Sequence, residues 1–276
     1  MVRTARPSSL EGNISNSEST PAQNYVWRQQ VSQWSYDVID HLGAPRETVF
    51  VAMNILDRYI AKTSSEELMT NKMKYERAAI TSFFLATRTS TPLDLKIPNL
   101  LCLSRSALQP RDILKEGRKI LETISFENRI LTPQRFVKTF LGLLPPTVNC
   151  LVITTWLELS IYLIEISVCD GNFSRVPPSQ LAFGSILVAM KKCQEFRVDR
   201  KTFDIFAKAM LEVNGIDMCS TGLRSVCVRL QNIYSQSQES ALTTSPNVIE
   251  DEEDTPAVST PSVQTSRPIS PVPESC

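Results

Sequence analysis

The chain has 276 residues, and its 29 Lys+Arg balance its 29 Asp+Glu, so the formal net charge is zero. A balanced chain projects no field toward nucleic acid or an anionic membrane, which leaves another protein as the default partner. With 42% hydrophobic and 21% charged residues it has a globular composition, and it is long enough for two domains that each bury a core. One His, His41, and seven Cys without C-x-x-C spacing offer neither a metal site nor a cofactor anchor. Cys102, Cys150, Cys169, Cys193, Cys219, Cys227 and Cys276 are read as reduced, mostly core thiols.

In chain order, residues 1–24 are polar and Ser-rich, with no apolar run of a signal peptide, and read as a disordered leader. Helical signals follow. Tyr25 to Leu42 stops at Gly43, and Pro45 to Ala61 and Asn71 to Thr87 come next. Pro98 to Leu103 is a short helix, and Pro110 to Phe126 carries its proline in the first turn, where a missing N–H costs nothing. Thr132 is an N-cap candidate ahead of Pro133 and opens a second set. That set continues with Pro146 to Val168, Pro177 to Cys193, Asp199 to Glu212 and Asp217 to Gln236. No alternating β-branched strands or hairpin turns interrupt these runs. The fold class expected is all-α, two tandem five-helix bundles at 25–131 and 132–236, followed by a Ser/Thr-Pro-rich disordered tail at 237–276.

"CLVITTWLELSIYLIEISVC", Cys150 to Cys169, imitates a membrane span over the ~20 positions a bilayer requires. Glu158 and Glu165 interrupt it on one helical face, and each would cost roughly 2.5–3.5 kcal/mol near a bilayer centre. It reads as a helix surrounded by others, with one polar seam, and no membrane partner is expected. In "VAMNILDRYIAK", Val51 to Lys62, the pair Asp57-Arg58 sits inside an apolar helical pattern. Asp57 either points to solvent beside Arg58 or Lys62, or meets a buried cation.

The stretches "WRQQVSQWSYDVIDHL", "ETVFVAMNILDRYI", "FFLATR", "ILKEGRKILETISF" and "LTPQRFVKTFL" resemble the cyclin box in order, spacing and residue type. "FSRVPPSQLAFGSILVAMKKC" is similar to the C-terminal cyclin fold of D-type cyclins. The resemblance spans Tyr25 to Gln236 and rests most specifically on Arg28, Trp34 and Asp57-Arg58 together. It implies two cyclin folds, no enzymatic activity of the chain itself, and a cyclin-dependent protein kinase as partner, in nucleus and cytoplasm. It also implies an internal ion pair between Arg28 and Asp57. The family's two polar kinase contacts fall on Arg88 and Glu116. Arg88 stands where the family has Lys in an "S-K-x-E-E" pattern, here followed by Thr89, Ser90 and Thr91.

A substrate-docking patch of the family, "M-R-A-I-L-x-x-W", falls on Trp27, Gln30, Val31 and Trp34. Asp37 takes the acidic position that would meet an arginine of kinase substrates or inhibitors. The polar Gln30 departs from the pattern, and Trp34 as a plain core residue is the competing reading. Arg77 in "YERAA" stands where the family places an apolar residue. The tail resembles the degradation tails of G1 cyclins read by a ubiquitin ligase, with proline-directed phosphosites at Ser245, Thr255, Thr260 and Ser270 beside the acidic run Glu250 to Asp254. A divergent cyclin-fold scaffold, or a transcription-related cyclin-box protein without kinase activation, remains the alternative.

Overall fold

The computed structural model describes residues 21–63, 66–90, 94–126, 130–193 and 198–243. The helices are α1 (Pro21–His41), α2 (Glu47–Thr63), α3 (Glu66–Thr70), α4 (Lys72–Ser90), α5 (Ile97–Ser104), α6 (Pro110–Thr123), α7 (Pro133–Leu141), α8 (Cys150–Val168), α9 (Pro178–Lys192), α10 (Arg200–Asn214) and α11 (Thr221–Thr243). A 3-10 turn, Gly171–Phe173, follows α8. The described residues contain no strand.

Local chemistry sets these boundaries. Gly43 takes φ +60° just past α1, a left-handed position that costs glycine little. Gln109 and Asp112 form a reciprocal box over Pro110, and Asn149 and Asp199 cap α8 and α10 by accepting from Leu151 N and Thr202 N. Two hydrophobic cores result. The first gathers residues of α1 to α6 around α4, where Ala78, Ala79, Phe83 and Ala86 are all buried. The second gathers α7 to α11 around α9, whose Ala182, Phe183, Gly184 and Ile186 are buried. Small residues in both central helices let neighbouring backbones come close. A Cβ on Gly184 would lie 2.8 Å from Val226 Cγ1 of α11.

The two bundles meet along α2 and α8. Val168, at the end of α8, joins the first core, and Phe50 of α2 packs against both. Helix α8 is long and apolar enough to cross a membrane by length and composition, yet its burial is one-sided rather than all round. Trp156, Ser160, Leu163, Ile164 and Ser167 are buried against α7, α9, α11 and α2, while Leu151 and Tyr162 stay exposed. Of the expected polar seam, Glu158 is exposed and Glu165 pairs with Arg46 at 2.8 Å.

Several expectations are corrected. The extra short helix α3 lies between the second and third expected ones, where Leu68 is buried over a single turn too brief to show periodicity. Helix α1 begins at Pro21 and α11 continues to Thr243, so helix extends past both 25 and 236; no proline or glycine stops it before Pro246. Helix α8 starts at Cys150 instead of Pro146 because Asn149, not the Pro pair, supplies the cap. Thr132 occupies the N-cap position of α7 without capping it; its hydroxyl donates to Glu47 of α2 at 3.3 Å. Among the described residues the thiols are not core: Cys102, Cys150 and Cys219 are exposed and Cys169, Cys193 and Cys227 half-buried. The half-buried three pack at the margins of the two cores.

Candidate protein-docking site

Helix α1 carries a polar clamp. Arg28 donates from Nε and Nη2 to Asp57 Oδ1 and Oδ2 at 3.1 and 2.8 Å, with the two side chains 11% and 19% exposed. Burial opposes the guanidinium's charge, but the bond and charge of Asp57 outweigh it and hold Arg28 above its ordinary pKa. Nη1 donates to Val168 O at 2.6 Å, so one side chain ties α1, α2 and the end of α8. Tyr36 of α1 adds a bond to Glu165 O at 3.1 Å. Arg46 reaches from the α1–α2 corner to both Asp40 and Glu165.

Past α8, Asp170 is 5% exposed. It accepts from Arg229 Nε at 2.5 Å and Nη2 at 3.1 Å and from Asn172, and Tyr25 of α1 donates to it at 3.5 Å. Burial alone would raise this carboxyl; the donors from Arg229 and Asn172 outweigh it and hold Asp170 below the usual carboxylate range.

Along α1, one stripe turns onto α4 and borders a cavity of about 180 Å³. Trp27, Gln30, Val31 and Trp34 form one wall, with Tyr75, Glu76, Ala79 and Ile80 opposite. Trp27 tilts against Tyr75 and Trp34 against Phe83, ring centroids 5.5 and 5.2 Å apart. Trp34 therefore serves both readings: its ring is packed on the core, and it lines the cavity. Asp37 is not part of the wall. It is exposed and accepts from Gln33 Nε2 at 3.2 Å, while Glu76 is the carboxylate beside the cavity. The stripe Lys72, Tyr75, Glu76, Ala79 and Ile80, at i, i+3, i+4, i+7 and i+8, was the signal available for this second wall.

Arg88 ends α4. It lies 5.3 Å from the Phe84 ring centroid and pairs with Asp94 at 3.4 Å, with its side chain 47% exposed. Glu116 is turned the other way, accepting from Tyr59 of α2 at 2.8 Å, and burial together with this carboxylate raises the Tyr59 pKa. Arg88 and Glu116 thus lie on neighbouring helices without bonding each other. Between them α4 and α6 approach closely: a Cβ on Gly117 would lie 3.5 Å from Thr81 Cγ2 and 3.9 Å from Leu85 Cδ2. Helix α6 also leaves Leu114 62% exposed, and Phe126, just past its end, 65% exposed. Phe126 holds φ +56° after Ser125 at +60°, a left-handed backbone that is strained for a bulky residue. Sequence reading passed over Leu114, Gly117 and Phe126, although Leu114 breaks the polar face of α6 visibly. Ser245, Thr255, Thr260 and Ser270 lie outside the described residues. Among the described residues no His, Cys, Asp and Glu cluster is arranged to hold a metal ion.

Paired helical bundles, a half-buried Arg–Asp clamp on the first helix and an apolar cavity between α1 and α4 make up a cyclin fold. Solved structures share that fold at low identity. A viral cyclin from herpesvirus saimiri superposes with TM-score 0.57 at 14% identity, covering 77% of this chain and 88% of that one. A chain of the yeast TFIIK (Kin28/Ccl1/Tfb3) complex gives 0.54 at 15%, covering 77% and 86%. Residues 6–129 match the family described as Cyclin, N-terminal domain. G1/S-specific cyclin-D2 of Gallus gallus is 26% identical over 220 residues, covering 77% of this chain and 73% of that protein. Cyclin-B2-1 of Arabidopsis thaliana is 25% identical over 166 residues, covering 60% and 36%. These matches support a divergent member of the cyclin family, with its N-terminal domain over residues 6–129.

Proposed function

We propose that this chain is a non-catalytic regulatory subunit that docks onto and activates a cyclin-dependent Ser/Thr protein kinase in cell-cycle control, in the nucleus and cytoplasm. The observation that carries the reading is the outer face of α4 and α6. It exposes Leu114 and Phe126 and strains the backbone that presents Phe126, while Arg88 stands half-exposed in the last turn of α4. Exposed apolar side chains with a cation at the rim are what a protein interface offers. A kinase requires its β3 Lys–C-helix Glu pair in place to hold ATP. A subunit that binds only that arrangement shifts the population toward it, and moving 1:99 to 99:1 takes about 5.5 kcal/mol of differential affinity. The cavity between α1 and α4 would hold an apolar segment of a substrate or inhibitor.

The test is capture of cyclin-dependent kinases by the full chain, with phosphorylation of a peptide substrate measured on the captured complex. Wild type should capture a kinase and raise its activity. Leu114→Glu should lose capture with unchanged circular dichroism and melting temperature, Arg88→Ala should weaken it, and Arg88→Lys should retain it. Capture without activation would establish the scaffold reading instead. Normal capture by Leu114→Glu would remove this face from the mechanism.

A further inference from the structure

We infer that the groove between α3, α4 and α6 is a binding site for a phosphorylated serine or threonine side chain. The groove has a volume of about 470 Å³ and is lined by the cations Lys74, Arg77, Lys115 and Lys119 and the carboxylates Glu67, Asp112 and Glu116. Arg77 sits in a stretch whose Tyr75, Ala78, Ala79 and Ile80 are buried. Its Nε is shut off from water with no acceptor. A buried donor left unmade costs about 1–3 kcal/mol, and more when charged. A fold tolerates that penalty most readily where an arriving ligand removes it.

Each of the groove's carboxylates already has one partner. Glu67 is paired with Lys74, Asp112 accepts from Gln109 N at 2.9 Å, and Glu116 accepts from Tyr59. Lys119 lies 5.9 Å from the Tyr59 ring centroid, and among the described residues neither it, Lys115 nor Arg77 is in an ion pair. One guanidinium and two ammonium groups thus line the groove without an ion-pair partner among the described residues.

A compact tetrahedral dianion matches this set best. A phosphoryl group brings roughly −1.5 to −2 charge and three strong acceptors, which an Arg fork grips bidentately and lysines meet as point charges. The three lining carboxylates disfavour an extended polyanion such as RNA or an anionic membrane, and the groove's size suits one side chain with its flanking backbone. Such a ligand has two sources with the same chemistry: the chain's own Ser-Pro and Thr-Pro sites beyond Thr243, or a partner protein. In the helical stripe of α6, Asp112, Glu116 and Lys119 face away from Leu114, Lys115 lies between the two flanks, and Glu116 is the one groove residue that the resemblance also assigns to the kinase.

Fluorescence polarisation on the full, unphosphorylated chain without any kinase tests the site separately from kinase docking. The probes are a labelled peptide of residues 248–260 carrying phosphothreonine at 255 and the same peptide without phosphate. The phosphorylated form should bind wild type at least about 30-fold more tightly, in keeping with two or more charge-assisted bonds. Arg77→Leu should abolish the preference, and Lys115→Gln should reduce it. Arg77→Leu removes the orphaned Nε, so its melting temperature should be unchanged or higher, which a purely structural arginine would not allow. Repeating the titration on chains with phosphorylated tails, against a variant with Ala at Ser245, Thr255, Thr260 and Ser270, separates the sources. Weaker probe binding only when the tail is phosphorylated assigns the site to the tail; equal binding assigns it to a partner. Equal affinity for the two probes, or undiminished phosphate preference in Arg77→Leu, would overturn the inference.

Discussion

Replacing Asp57 by alanine leaves the Arg28 guanidinium, 11% exposed, with Val168 O as its remaining hydrogen-bond acceptor among the described residues. Breaking a buried pair from one side typically costs about 3–5 kcal/mol because the surviving charge stays desolvated. The 19% exposure of Asp57 places this case toward the lower end. Arg28→Ala strands the carboxylate and also removes the donor to Val168 O, so it should cost about 1 kcal/mol more than Asp57→Ala. The double variant should cost less than the sum, with a coupling of about 2 kcal/mol. Urea unfolding of all four proteins, followed by circular dichroism, gives the cycle. A coupling below about 0.5 kcal/mol would refute the clamp as an energetic unit, and equal costs for the two single variants would remove the Val168 contribution.

Gly184→Ala places a Cβ 2.8 Å from Val226 Cγ1 and should destabilise by about 1–3 kcal/mol through overpacking, read as a lower urea midpoint at unchanged slope. Asp170 is held below its ordinary pKa, so its stabilisation is complete above the unfolded value of about 3.9 and is lost as pH falls through the lower folded value; Asp170→Asn should flatten the acid limb of a melting-temperature profile. Glu116→Gln should keep the Tyr59 hydroxyl satisfied and the fold intact, whereas Glu116→Arg removes its carboxylate acceptor and should cost about 1–3 kcal/mol, measurable by thermal melting. Ending the chain at Thr243 should leave the urea midpoint unchanged. If the tail controls lifetime, that truncation and the four-site Ala variant should both persist longer than wild type after synthesis is blocked, and equal half-lives would make the tail passive.

Periodicity, caps and proline placement made the helices legible, because each depends on residues a few positions apart. What escaped depended on which helix lies opposite. The pattern in Val51 to Lys62 marks a buried face, but it cannot tell whether Asp57 meets Arg58 or Arg28. Only the resemblance raised the second, and the bond to Val168 O was in neither. Glu116 shows the same gap: its place on α6 follows from sequence, while its turn toward Tyr59 follows from how α2 crosses α6. The resemblance placed Trp27 and Trp34 in one patch, but Glu76 rather than Asp37 stands beside their cavity because α4, rather than the next turn of α1, closes it. The short α3 and the surface thiols were missed because one helical turn carries no period, and a cysteine's small size lets bulkier neighbours take the interior.

The bond from Arg28 to Val168 joins residues 140 positions apart, and Tyr25 meets Asp170 across 145. During synthesis, therefore, α1 emerges well before the groups that fix it. At about 5–20 residues per second, its final anchors follow by roughly 7–28 s. Trp27 and Trp34 find Tyr75 and Phe83 of α4 sooner, but until α8 emerges Arg28 and Tyr25 lack the partners that tie α1 to the second bundle. Slow codons between positions 90 and 165 should lengthen that wait, which makes the joining of the two bundles sensitive to translation speed in a stretch far from α1.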